Sequence, residues 1–304
     1  MLEMTDRERF LFDVQGFLVV PGFLSASEVG RLNEAVDANE HKIVEDTNAN
    51  IAGSSTLVGT AKRRILNDLV TLDHPWCDPF RDLLAHPKLL PYLNTMLGPG
   101  WRMDHSPALF VADRGAEGLA LHGATSRTPA QSAAYVYANG KMQCGLVAVE
   151  FCLTPHDEGE GGFAAIAGSH KANFPMPPGI RRWEEDREIL RNPACAVGDA
   201  LFFSEATLHG TLPWRPAHQR RALLYRYSPG YLHIGGGYST TTLPDWADEL
   251  TEAQRAVLEP PHVYSRPVIQ DDGETVRPET IWGQRVAEEW PGPARRARGK
   301  ARPS

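Results

Sequence analysis

The run of short β-patterned segments between residues 101 and 232 constrains this chain more than any other feature. Trp101 to Ala112 reads as a strand, and Leu119–His122 as the end of the next. Ala133–Tyr137 and Met142–Thr154 flank Ala138-Asn139-Gly140-Lys141. Asn-Gly supplies the two left-handed positions that a tight hairpin turn demands. Gly161 to His170 reads as a further strand and turn, and Ala196–Phe203 and Arg221–Tyr227 as two more. Roughly eight strands with short turns, behind a helical N-terminal part, predict a mainly β fold with flanking helices. The expected architecture is a double-stranded β-helix, the jelly roll of cupin-like proteins.

Upstream the pattern is different. Residues 16–20 read as a short strand that stops at Pro21-Gly22, and Ser25-Ala26-Ser27-Glu28 is a capping box. Val29, Leu32 and Val36 then give one apolar helical face. Residues 42–64 are polar and Gly/Ser-rich, so they are expected to form a long loop of the kind that carries mobility or function. Residues 79–97 read as helix interrupted at Pro87 and Pro91, ending at Gly98-Pro99-Gly100. A Pro-rich stretch at 171–194 has an Arg/Glu-rich helical portion around 181–191. These segments predict one domain over 1–285: a helical part (1–100), a β core (101–232) and a C-terminal extension (233–285). The basic, apolar-poor segment 286–304 reads as a disordered tail.

Composition excludes several classes. A net charge of −7 argues against a general polyanion binder, so nucleic acid is not an expected partner. No apolar run approaches the roughly 18 residues that would span a bilayer. The N-terminus lacks a charged-then-apolar leader, which makes a cytoplasmic protein the expectation. Cys77, Cys144, Cys152 and Cys195 form no CxxC pair and read as small buried thiols rather than a zinc site. Cys144 and Cys152 read as lying on one strand, on the same face and too far apart to bridge. There is no Gly-x-Ser-x-Gly elbow, phosphate loop or dinucleotide fingerprint.

The chemistry concentrates in two histidines. His122 stands in Leu121-His122-Gly123-Ala124 and His209 in Leu208-His209-Gly210, with Arg220 eleven residues further on. Two imidazoles on neighbouring inward-facing strands can hold a metal on one face and leave its other positions open. Arginine suits bidentate recognition of a carboxylate. Arg221, its neighbour, would point to the opposite face of a strand.

In this order and spacing the motifs resemble the phytanoyl-CoA dioxygenase-like family of iron(II)/2-oxoglutarate oxygenases. The resemblance covers residues from about 10 to 230. It rests on Phe12 to Leu24, on Gly161-Gly162-Phe163 through Ala167-Gly168-Ser169-His170-Lys171, on Gly198 to Phe203 followed by His209-Gly210, and on Arg220. It implies iron held by His122 and His209, and 2-oxoglutarate held through its distal carboxylate by Arg220. It also implies O₂ as co-reactant and a small-molecule substrate oxidised at a C–H bond. Gln131, Tyr135, Tyr137 and Gln143 lie on the first strands after His122 and are candidates to touch 2-oxoglutarate or substrate.

One departure from the family pattern matters. The third ligand in His-x-Asp or His-x-Glu is replaced here by Ala124. Three readings remain open. In the first, chloride fills the vacancy, as the resemblance to iron/2-oxoglutarate halogenases implies, and the outcome is halogenation. In the second, another carboxylate completes the site and the outcome is hydroxylation. Glu205, four residues before His209, can meet it if 205–209 form a turn, but would lie roughly 13 Å away in an extended strand. Glu150, an isolated acid in an apolar strand, is the other candidate, and a structural ion pair with an arginine is its alternative. In the third, the site has decayed and the fold serves as a binding scaffold; retention of His122, His209 and Arg220 together argues against that. His170 reads as structural, and Trp214 as packing. His105, His156, His218 and His233 read as surface or capping residues.

Overall fold

The computed structural model describes residues 4–123, 133–234, 242–263, 265–270 and 272–278. The expectations for Ala124, Gln131 and the 286–304 tail lie outside these residues. The architecture is the jelly roll that the strand pattern predicts. The strands are β1 (Phe17–Val20), β2 (Val44–Glu45), β3 (Arg64–Leu66), β4 (Arg102–Ala112), β5 (Leu119–His122), β6 (Tyr135–Ala138), β7 (Lys141–Cys144) and β8 (Val147–Cys152). They continue with β9 (Gly162–Ile166), β10 (Leu190–Arg191), β11 (Ala200–Ser204), β12 (His209–Leu212) and β13 (Arg220–Ser228). Among the described residues, seven strands form the major sheet in the order β1-β11-β8-β13-β4-β3-β2, and four form the minor sheet, β10-β9-β12-β5. All the pairings within both sheets are antiparallel.

Alternation along β8 explains why its six residues are all buried. Val147, Val149 and Phe151 face outward into the larger core, and Ala148 and Cys152 face inward between the sheets. The outer core is closed by helices α1 (Asp6–Gln15), α2 (Ala26–Ala38), α3 (Asp78–Asp82) and α4 (Leu90–Leu97). α2 buries Val29, Leu32, Ala35 and Val36, behind the expected box in which Ser25 and Glu28 cap each other. The inner core is smaller and consists of Phe17, Ala148, Cys152, Phe163, Ala165, Cys195, Leu201, Phe203 and Leu224. With so few large apolar groups, the space between the sheets also has to house charged side chains, and these make the site.

Several local expectations need correction. Part of the polar 42–64 segment joins the major sheet, because β2 and β3 extend its edge through backbone pairing that needs no apolar alternation. The stretch 142–154 breaks at Gly145, so Cys144 ends β7 while Cys152 ends β8 and the two do not share a strand. Pro91 opens α4 instead of interrupting a helix, since proline fits the first turn, where its missing N–H costs nothing. Around 181–191 the helical content is limited to Pro178–Arg181 and a single 3₁₀ turn, Arg187–Ile189. The Asn139-Gly140 turn is as expected, with φ of 53° and 74° joining β6 to β7.

Candidate functional site

His122 and His209 are direct partners across β5 and β12. Thr211 pairs with Leu119, so three steps along β5 match two along β12, and the extra residue is a bulge. Directly opposed residues of an antiparallel pair project from the same face, so both imidazoles point to one side. Their ring centroids are 4.3 Å apart. Gly123 lets the strand ends close: a Cβ there would sit 2.7 Å from the Thr207 carbonyl oxygen. That same carbonyl accepts a hydrogen bond from His209 Nδ1 at 2.7 Å, and the Ala120 carbonyl accepts one from His122 Nδ1 at 3.1 Å. With both Nδ1 atoms donating, both Nε2 lone pairs are left free to bind a metal.

The turn between β11 and β12 brings in a carboxylate. Thr207 N–H donates to the Ser204 carbonyl at 2.9 Å and Glu205 N–H to the Leu146 carbonyl at 3.0 Å, so residues 204–207 are not extended. Glu205 Oε2 consequently lies 3.6 Å from His209 Nε2. One ligand atom from each of His122, Glu205 and His209 falls within 4.8 Å of the other two. The other oxygen, Oε1, accepts from Arg226 Nε at 2.7 Å. Burial alone would raise the Glu205 pKa, but Arg226 and the two imidazoles outweigh it and hold the carboxyl down at about 2. Burial, followed by the neighbouring His209, depresses His122 to about 3, and burial depresses His209 as well. The cluster is therefore two neutral imidazoles and one carboxylate at neutral pH.

Further along the same space lies Arg220, on the inward face of β13 with no bulge at its position, while Arg221 turns outward to Asp37 and Asn33. Arg220 is 5% exposed, and its Nη2 donates to Glu150 Oε1 at 2.7 Å. Glu150, itself 7% exposed, is thus spent on an arginine and is not gathered with the histidines. Arg63 lies alongside, with Nη2 on Asp46 at 3.0 Å and Nη1 on Thr211 Oγ1 at 3.3 Å. His156 is a correction: at 4% exposed it is buried rather than at the surface, with Nε2 unpaired. His170 spends Nε2 on the Asp13 carbonyl, and Trp214 is buried with its indole N–H on the His218 carbonyl. Arg226 and Arg63 were not expected from the sequence. Arg226 shares the inward parity of Arg220, six residues earlier, and that was the available signal. Arg63 sits in the polar segment and had none.

Tyr135, Tyr137 and Gln143 line a cavity of about 1340 Å³, together with Met142 and Tyr231. None of His122, Glu205, His209 and Arg220 lines this cavity, which also takes in Arg9 and Asp13 of α1 and Asn94 and Leu97 of α4. Tyr135 is hydrogen-bonded to Asp13.

A family model described as phytanoyl-CoA dioxygenase (PhyH) matches residues 12–222. The chain belongs to that family. No curated protein sequence matches it. Among solved structures, HygX from Streptomyces hygroscopicus with nickel and 2-oxoglutarate bound is similar, at 24% identity and a TM-score of 0.61, covering 75% of this chain and 88% of that one. EctD from S. alaskensis with 2-oxoglutarate and 5-hydroxyectoine follows at 17% identity and 0.54, covering 74% and 76%. The α-ketoglutarate-dependent epimerase SnoN from nogalamycin biosynthesis gives 19% identity and 0.52, covering 74% and 84%. At these identities the likeness establishes the fold. Among the described residues, no helix is long and apolar enough to cross a membrane.

Proposed function

We propose that this PhyH-family chain is an iron(II)/2-oxoglutarate-dependent oxygenase that hydroxylates a small molecule. Its iron would be held by His122, His209 and Glu205. The observation that carries the reading is the convergence of the Glu205 carboxylate on the two imidazoles, with Oε2 toward His209 and Oε1 fixed by Arg226. Two imidazoles and one carboxylate are the donor set of non-haem iron oxygenases. The anchored Nδ1 atoms and the Arg226 contact are the outer hydrogen bonds that such ligands use.

Arg220 fits the distal carboxylate of 2-oxoglutarate. It is a buried, always-charged fork whose Nε has no hydrogen-bond partner. HygX, EctD and SnoN are described with, or as dependent on, this cosubstrate, which supports the same assignment here. Bound iron supplies O₂ activation coupled to decarboxylation of 2-oxoglutarate, with oxidation of a substrate C–H bond. The protein's share is to hold three ligands on one face, keep Glu205 ionised and shield the centre between two sheets. HygX is described with hygromycin B and EctD with 5-hydroxyectoine, in line with a small organic substrate.

With Glu205 as ligand, the carboxylate fills the position that chloride would take and leaves chloride no role. Anaerobic titration with iron(II) and then 2-oxoglutarate tests this. A weak visible charge-transfer band that chloride does not move is expected. A band that shifts with chloride would favour the halide reading, and no band on metal-replete protein would favour a scaffold.

A further inference from the structure

The arginine assigned to 2-oxoglutarate already carries a carboxylate. Arg220 and Glu150 are both buried between the sheets, with Nη2 and Oε1 2.7 Å apart. The neighbouring cation gives no spare charge, because Arg63 is likewise buried against Asp46 at 3.0 Å. Two guanidinium groups thus face two carboxylates. A distal carboxylate arriving at Arg220 would make a third anion in a space where unbalanced charge is poorly solvated and strongly disfavoured. The pair also does not satisfy the arginine fully, since Arg220 Nε remains unpaired, as does the buried His156 Nε2. Gly162 leaves this side uncrowded by having no Cβ: one built there would stand 3.0 Å from Arg220 Nε and 3.6 Å from His156 Nε2.

We propose that Glu150 is an internal competitor for the cosubstrate arginine, a residue that sets affinity and selectivity for the distal carboxylate of the 2-oxo acid. The inference rests on the assignment of Arg220 to 2-oxoglutarate. When the cosubstrate binds, Glu150 gives up Arg220 Nη2 and the incoming carboxylate takes it, with no covalent change. Glu150 then lowers the affinity for dicarboxylic 2-oxo acids selectively, because a monocarboxylic one brings no charge to this end of the pocket.

Calorimetric titration of anaerobic, iron(II)-loaded protein with 2-oxoglutarate and with 2-oxopentanoate, which shares the 2-oxo acid head but lacks the distal carboxylate, separates the possibilities. Glu150→Gln keeps the shape and removes the charge, and should tighten 2-oxoglutarate about tenfold or more. It should leave 2-oxopentanoate unchanged. Glu150→Asp keeps the charge but shortens the reach to Arg220, and should tighten 2-oxoglutarate by a smaller factor. It also provides the answer if the Gln variant does not fold. Unchanged or weaker 2-oxoglutarate binding in the folded variants, or equal changes for both acids, would overturn the competitor role while leaving Arg220 in place. No 2-oxoglutarate binding by the iron-loaded wild-type protein would overturn the cosubstrate assignment itself, and this inference with it.

Discussion

At the scale of single residues, the site is held by hydrogen bonds one step removed from the ligand atoms. Arg226 is the most informative of them. Its contact with Glu205 Oε1 fixes the carboxylate and helps keep it ionised down to a pKa of about 2. Arg226→Met keeps much of the side-chain bulk and removes the charge. It should weaken iron(II) binding by about 10–100-fold, as loss of an outer-shell partner does, without changing the number of metal ions bound. Equilibrium metal titration checks this, and unchanged affinity would mean that Arg226 serves packing alone. His122, His209 and Arg220 could be read from spacing, and Glu205 from its four-residue offset to His209 once a turn was allowed. What could not be read was the partner of Glu150. That depends on two strands lying side by side in the sheet, a long-range fact that no local pattern encodes.

At the scale of elements, local chemistry decided what could be read in advance. Asn139-Gly140 and the Ser25–Glu28 box are complete instructions within four residues, and both form as expected. β2 and β3 are the contrary case. They are two and three residues long, too short to show an alternating pattern, and they exist because β4 offers a sheet edge to pair with. The break at Gly145 was hidden in an otherwise continuous β pattern. The α2 cap also carries a pH signature. Glu28 accepts from Ser25 N–H at 2.7 Å and faces His86 Nε2 at 2.9 Å. Burial opposes ionisation, but Ser25 and His86 outweigh it and bring the carboxyl from 4.5 to about 2. A depressed carboxyl stabilises the fold above its unfolded pKa, and that contribution is lost as pH falls through the folded value. Glu28→Ala should therefore cost about 1 kcal/mol near neutral pH. The gap to wild type should close between pH 4.5 and about 2. Denaturant unfolding across that range measures it, and a gap independent of pH would contradict it.

At the scale of the molecule, the two sheets divide the work. The major sheet carries its large apolar core on the outside, under the helices. This leaves its inner face free for Arg220 and Arg226 on β13 and Glu150 on β8, opposite the histidines of the minor sheet. The jelly roll itself was legible because turns and alternation repeat along the chain. The arrangement of charges inside it was legible only in part, because strand order fixes it. In the proposed site, two neutral imidazoles from β5 and β12 and, from the β11–β12 turn, a carboxylate in place of the acid missing at Ala124 would hold the iron. Everything proposed for the chemistry depends on that carboxylate. The most direct test is the anaerobic iron(II) affinity of Glu205→Ala beside wild type, with and without chloride. Tight binding of one iron by wild type, lost in the variant and not restored by chloride, is the expected result. A variant that binds iron as tightly as wild type, or does so once chloride is added, would contradict the assignment of Glu205 as the third ligand.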